Sequence, residues 1–522
     1  NNAYPIPIAS QSKLSELLDN IGFYFIDKNL FKIGDIIEGE KRSNLCNKIV
    51  DYIFDIFKNE IINYDYKTII NISYSSFEKL LPEITLRNDN YKNQIHLYPD
   101  KSKEIQQIIS EYNKTSIALK FILEYVGATQ VEGNKKCDFI DLENLLAYAV
   151  SIIEWATASD LFKYNMIDDK ITVLESKRFG YDKKNVEIIS NYISNTQFDF
   201  LSKDEKNDSL KINQNDKNNI YQKDFGYSFT EYISIIGLLF EYGSTLDSDV
   251  KNISYENWIK LCNENNVPNR LHNIINDISI EKREDYFKYK HYKQNEFYPW
   301  RFNRLFSLFR RPIIKIDNNY FWGNKNLNHN IHYISALINQ GIFNSGKKGK
   351  NYSIQYNGTI AMQRGEFFNN KVYEIFKSFP NMDVFKNIVS VNSNHIADAS
   401  GNELGDIDIL VIAKDLKKIF IIEVKDYSLA KNINDLSIEI KKLFEGDKKD
   451  KPAYEKHLAR FNWMKNHKDD IIKEFKLDNN NWNLIPLFIT NQPMVSKQYK
   501  KFKNINLIDY NSLTYKYIEK LK

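Results

Sequence analysis

Apolar residues recur every three or four positions through most of the first two thirds of the chain. In the last third they gather in short β-branched runs. The first spacing predicts helices at 14–18, 45–57 and 105–126. A longer helix is predicted over 141–162, with Asp141 as its cap and Leu142, Leu145, Leu146, Ala149, Ile152 and Ile153 facing inward. Residues 96–99 and 171–174 read as short strands. Residues 202–224 are rich in lysine and asparagine and poor in apolar residues, so they read as an exposed loop or linker. Helical spacing resumes at 229–242, 255–263 and 271–278. The stretch 298–324, YPWRFNRLFSLFRRPIIKIDNNYFWGN, follows. It predicts a helix over 301–311 stopped by Pro312, then a hairpin with an Asp-Asn-Asn turn. Arginines interleaved with aromatics can form a nucleic-acid platform. Leu305, Leu308 and Phe309 at core-like spacing favour a scaffold helix instead, its arginines facing water or pairing with acids.

Residues 364–379, RGEFFNNKVYEIFKSF, predict a helix ended by Pro380, with Phe368, Val372, Ile375, Phe376 and Phe379 on its apolar side. A strand is predicted at 383–391. Residues 405–426, GDIDILVIAKDLKKIFIIEVKD, predict a β-hairpin whose apolar runs, 407–413 and 419–424, flank the polar turn KDLKK. Side chains alternate along a strand. Phe420, Ile422 and Val424 therefore face one way, and Ile419, Ile421, Glu423 and Lys425 the other. Asp406 and Asp408 share a face of the first run. Helices at 436–444 and 454–466 around the loop EGDKKDKP, a strand at 484–490, a short helix at 496–502 and a strand at 505–508 complete an α-β-β-β-α-β order. The expected organisation is a helical domain at 1–202, a polar loop or linker at 203–224, a second helical region with a hairpin at 225–343, and an α/β domain at 354–522. The Gly/Lys/Ser-rich stretch 344–353 is the boundary before that last domain.

The hairpin carries the chemistry. A carboxylate opens one apolar strand, and a carboxylate and an ammonium close its partner. In an antiparallel pair the start of one strand lies beside the end of the other, so Asp408 and Glu423 meet. Two carboxylates brought together repel unless a cation lies between them. Oxygen ligands with open water positions suit Mg²⁺. A lysine beside such an ion holds a water or stabilises charge on a phosphate.

This D-(x)n-E-x-K pattern resembles the PD-(D/E)xK nuclease superfamily. The wording GDIDILVIA followed by IFIIEVKD is most similar to its nuclease-related (NERD-type) and Holliday-junction-resolvase-like branches, over about residues 357–522. The resemblance implies a restriction-endonuclease-like domain with an αβββαβ core. It implies that Asp408 and Glu423, with the Val424 carbonyl, hold Mg²⁺ or Mn²⁺, and that Lys425 orients or activates the attacking water. Between Asp406 and Asp408, the second fits better because Ile-Leu-Val follows it directly. Related families carry a glutamate on the first helix that reaches the metal, and Glu366 would match it. Favourable interaction with the helix dipole is the simpler account of Glu366. The implied activity is a nuclease, with DNA favoured over RNA as partner and a role in restriction or anti-phage defence. The helical part would supply target recognition, a protein partner or oligomerisation. The alternatives are a non-catalytic nucleic-acid or protein-binding module on the same fold, or an RNase effector. One feature departs from the RecB-like relatives: the helix after E-x-K lacks Gln-x-x-x-Tyr. It reads HLARFNWM, with His457 and Arg460 expected on a solvated face.

Composition adds limits. A chain of 522 residues corresponds to roughly three domains at ~150 residues each, and 42% hydrophobic content is ample for packed cores. The abundance of Tyr and Phe, with Asn, Lys and Ile, reads as compositional drift. Net charge is only +4, and its small basic excess falls in the last third, as phosphate binding would want. No Gly-rich phosphate loop occurs, so an ATPase has no support. The 3 cysteines lie far apart, which excludes a zinc knuckle and points to a reducing cytoplasm. No N-terminal targeting signal is visible. The most apolar stretch, 145–158, is interrupted by Glu154 and reads as too short to span a bilayer, so no membrane partner is expected. The chain opens on Asn rather than Met and is read as a candidate piece of a longer protein.

Overall fold

The computed structural model describes residues 6–182, 186, 189, 193, 212–347, 351–428, 430–446, 451–478, 481–494, 496 and 504–521. They divide into two compact units, Asn1–Asn357 with Lys431–Ile433, and Gly358–Ala430 with Asn434–Lys522. The two expected helical blocks fall together in the first unit, and the division lies within the Tyr352–Lys377 helix.

The first unit is built on the helices Gln11–Asp27, Glu40–Ile61, Tyr66–Leu97, Ser102–Thr129 and Phe139–Lys163. Strands β1 (Ile36–Ile37), β2 (Ile171–Val173) and β3 (Phe179–Gly180) form a small antiparallel sheet beside them. Asp138, not Asp141, caps the Phe139–Lys163 helix. Asp141 is the third helical residue, and its carboxylate accepts the Asp138 N–H, completing a capping box. This helix has 25 residues and is long and apolar enough to cross a membrane by length and composition, contrary to the shorter expectation; 89% of its apolar window is buried inside the protein. Residue 96 lies in the last turn of the Tyr66–Leu97 helix rather than in a strand. The expected linker also changes: Asn213 caps a helix over Gln214–Phe225, which buries Ile220 and Tyr221. The Tyr221 ring packs against Phe229 and Tyr232 of the next helix, Phe229–Ser244. One apolar stripe was enough to fix a helix that polar composition had disguised. Residues 202–211 of that stretch lie outside the described set.

The helices Tyr255–Glu264 and Ser102–Thr129 pack on a sheet of β4 (Lys251–Ser254), β5 (Ser279–Ile280), β6 (Ile313–Ile316) and β7 (Asn319–Trp322). Its order is β4-β7-β6-β5, with β6 and β7 forming the expected hairpin. Residues 301–311 are a succession of turns and bends, not a helix. The physical reason is Glu124, which is 0% exposed. Its carboxylate accepts both terminal guanidinium nitrogens of Arg304, at 2.7 and 2.9 Å, and the Leu308 N–H at 2.8 Å. Glu296 accepts the Leu305 N–H at 2.9 Å. These side chains take donors that a helix would give to its own carbonyls. The arginines turn inward, Arg310 to the Asn344 carbonyl and Arg311 to those of Leu305 and Ser279.

In the second unit, β8 (Met382–Ile388), β9 (Ser390–Val391), β10 (Asn394–His395), β11 (Ile407–Ala413), β12 (Lys418–Lys425), β13 (Asn483–Thr490) and β14 (Asn506–Asp509) follow the Tyr352–Lys377 helix. That helix begins well before the expected residue 364. The main sheet runs β14-β13-β12-β11-β8. The β8–β11 and β11–β12 pairs are antiparallel, while β12–β13 and β13–β14 are parallel. On one face Phe368, Val372 and Phe376 pack with Ile409, Val411, Phe420, Ile422 and Val424. On the other, Leu410, Ile412, Ile419 and Ile421 pack with Trp463, Met464 and Ile471 from the helices Ala453–Asn466 and Lys468–Glu474. Coverage on both faces explains why the two central strands are apolar over Ile409–Ala413 and Ile419–Ile422. Residues 436–444 become the helix Ile433–Ile440 followed by a π-helical turn over Lys441–Glu445. The expected helix at 496–502 lies outside the described residues except for Ser496.

Arg304→Met leaves the Glu124 carboxylate buried with no guanidinium partner. It is expected to destabilise the first unit by about 3–5 kcal/mol, read as a lowered urea midpoint. Lys58→Ala, at the exposed Asp55 pair, is expected to move the same midpoint by less than about 1 kcal/mol.

Candidate active site

The site forms where the central hairpin stops being a ladder. The last paired residues are Ile409 and Ile422. Continued by one step, that register sets Asp408 opposite Glu423, with both side chains on one face. There β11 no longer offers a main-chain acceptor, and the Asp408 carboxylate accepts the Val424 N–H at 2.7 Å. On the other edge, β12 stays in register with β13 through Lys425 and Thr490, so Glu423 and Lys425 are held on a rigid strand.

Lys425 ties the two carboxylates together. Its ammonium lies 2.7 Å from Glu423 and 3.6 Å from Asp408. Glu423 is only 3% exposed, whereas the Lys425 side chain is 38% exposed. The cluster thus has a buried floor and an accessible cation. Arg460 donates to Glu423 from the Ala453–Asn466 helix, and His457 lies 3.9 Å from the same carboxylate. His457, Arg460 and Met464 all face inward on this helix, at three- and four-residue spacing. Their expected solvated face is therefore overturned. The inward spacing was visible in HLARFNWM, but charge argued against it. Gly405, at φ +85°, lets the chain pass close to Arg460: a Cβ there would sit 3.2 Å from the guanidinium.

The charges are uneven. Burial, then repulsion from Glu423, raises the Asp408 carboxyl to about 6, against the pull of Lys425 and the Val424 N–H. Burial also works to raise Glu423, but Lys425 and Arg460 outweigh it and hold the carboxyl below its usual range. Burial disfavours charged Lys425, yet Glu423 and Asp408 outweigh it and raise the ammonium. Burial brings the His457 ring down to about 4, leaving it neutral at pH 7. A buried carboxylate raised by its neighbour is what an added divalent cation would stabilise. Two carboxylates fit such an ion as a minimal oxygen set. Among the described residues, no group of three or more His, Cys, Asp or Glu side chains could hold a metal.

The other candidates fall outside this cluster. Glu366 is exposed, and it lies well inside its helix, far from the first turn that the dipole account requires. Phe368 and Val372 put the opposite side of that helix against the sheet. Asp406 is half-buried, and it is Asp408 that meets Lys425 and Val424. Sequence reasoning missed a second polar pair beside the strand end: Asp426 binds Arg364 at 2.8 Å and Asn491.

A family model described as anti-phage protein Upx-like matches residues 21–508. No curated protein and no solved structure matches the chain.

The raised Asp408 gives a pH test. A carboxyl whose folded pKa exceeds its unfolded value near 3.9 favours the folded state when protonated. Stability from this group is present below about pH 4 and is lost as pH rises through about 6. Without divalent cations, Asp408→Asn is therefore expected to be more stable than wild type at pH 7.5, by up to about 3 kcal/mol. The gap should close by about pH 4. Melting curves of both proteins across that range check it.

Proposed function

Because the chain belongs to the Upx-like family of anti-phage proteins, we propose that it acts in that defence as a metal-dependent nuclease. It would hydrolyse phosphodiester bonds at the cluster of Asp408, Glu423 and Lys425. One observation carries the reading: a buried carboxylate, a half-buried one and a half-exposed lysine converge where the β11–β12 ladder ends, with Lys425 in reach of both acids. The element order of the second unit and its β14-β13-β12-β11-β8 sheet support a restriction-endonuclease-like reading. The resemblance favours DNA as substrate. The 3 cysteines are free and buried, which suits action in the cytoplasm.

Each residue has a distinct task in this proposal. Asp408 and Glu423 are the metal ligands. In an extended strand the N–H and C=O of one residue point to the same edge, so the Val424 carbonyl joins them from the side where its N–H meets Asp408. A bound Mg²⁺ or Mn²⁺ would supply Lewis-acid stabilisation of the extra charge on the phosphate. Lys425 holds the attacking water and faces the growing negative charge. Arg460 steadies Glu423. Glu366 has no part in it.

A second reading is a binding module without catalysis, for nucleic acid or for protein. It is favoured by the pairing of Glu423 with both Lys425 and Arg460, which offsets the negative charge that would draw a metal ion. A cleavage assay separates the two. Purified protein is incubated with plasmid, linear duplex, single-stranded DNA and RNA, each with Mg²⁺, Mn²⁺ or EDTA. The nuclease reading expects cleavage that EDTA abolishes. Lys425→Ala should retain metal binding and lose about a hundredfold or more in rate. Glu423→Ala should weaken metal binding itself, with partial rescue at high Mn²⁺. Equal rates for wild type and Lys425→Ala would rule out this site.

A further inference from the structure

The first unit holds a cleft lined by the Ser102–Thr129 helix, the Asn324–Asn339 helix and the turns at 299–309. Several buried polar atoms in its wall lack partners. Asn113 is 2% exposed, yet neither its amide nitrogen nor its amide oxygen has one. The Ser307 hydroxyl, on a residue 6% exposed, and Nε2 of His329 are in the same state. Native interiors satisfy nearly all such groups, and several unmet together in one concavity mark a place where something binds.

Lys120 adds charge. Its ammonium lies 3.8 Å from the centre of the Phe309 ring, and among the described residues no carboxylate lies within ion-pair distance of it. Glu124 is engaged by Arg304 and the Leu308 N–H. Asp160 is engaged by Arg301 at 3.2 Å. Burial, then the Arg304 charge, lowers Lys120 to about 7. Burial, then Lys120, lowers the His329 ring to about 3. A half-buried ammonium with no carboxylate partner can take an incoming anion.

We propose that this cleft binds a small phosphorylated ligand of the mononucleotide class. Its phosphoryl oxygens would meet Lys120, the Ser307 hydroxyl and the Asn113 amide nitrogen. A bare anion would leave the Asn113 oxygen unmet; a nucleoside carries the N–H and O–H donors that it lacks. A planar base also suits a wall that includes Trp300 and Phe302. The proposal does not depend on the nuclease reading.

The test is calorimetric titration of the full chain, in EDTA, with inorganic phosphate, a set of nucleoside mono-, di- and triphosphates, and a single-stranded oligonucleotide. At least one mononucleotide is expected to bind with a Kd of about micromolar order and to raise the melting temperature. Lys120→Met and Asn113→Leu should each weaken that binding at least about tenfold (about 1.4 kcal/mol). Neither should lower the melting temperature of the free protein, since the Asn113 amide has no partner to lose and Lys120 has no carboxylate beside it among the described residues. Binding of no mononucleotide, or of the oligonucleotide or inorganic phosphate alone, overturns the proposal. So does unchanged affinity in Lys120→Met, or a free Lys120→Met protein that melts well below wild type, which would make the lysine structural.

Discussion

Where the β11–β12 ladder ends, the Asp408 carboxylate takes the Val424 N–H that a backbone carbonyl would otherwise accept. The candidate site depends on that substitution. It lets the two strands part without leaving a buried donor unmet. It also fixes Asp408 opposite Glu423, where β12 is still locked to β13. Burial on both faces of the sheet makes the anchor rigid. It also raises Asp408, because the floor that holds the carboxylates keeps water from them.

The charges around Glu423 come from elements far apart in sequence. Lys425 is on the same strand, while Arg460 and His457 arrive on the Ala453–Asn466 helix. Arg460 is long enough to reach Glu423 from a helix whose other inward residues, Trp463 and Met464, build the core. One helix face therefore packs the sheet and tunes the site. That dual use constrains both positions: a smaller residue at 460 would loosen Glu423 as well as the packing around Leu404, whose carbonyl accepts from Arg460 at 3.4 Å.

The first unit uses buried polar groups in the same way for a different end. Glu124 gathers Arg304, Tyr286 and the Leu308 N–H and shapes 301–311 into turns. Those turns then form one wall of the cleft that holds Lys120. An acid that is fully satisfied thus sits beside a lysine that is not, and the contrast separates scaffold from candidate binding site.

The alternation in IFIIEVKD was sufficient to put Glu423 and Lys425 on one face, because a strand has only two. Antiparallel pairing was sufficient to bring Asp408 beside them. The β6–β7 hairpin was legible for a similar reason, in its turn residues and β-branched flanks. Periodicity is a local property, and these elements are local. What it could not show was which charged residues face inward. Arg460 read as a surface charge, and Arg304 as facing water or pairing with an acid, until the distant carboxylates Glu423 and Glu124 were placed against them. Glu366 followed the opposite course: its position suited a metal ligand, but the helix extends back to Tyr352 and turns that side to solvent. A buried charge is decided by its partner, and the partner is supplied by the tertiary fold.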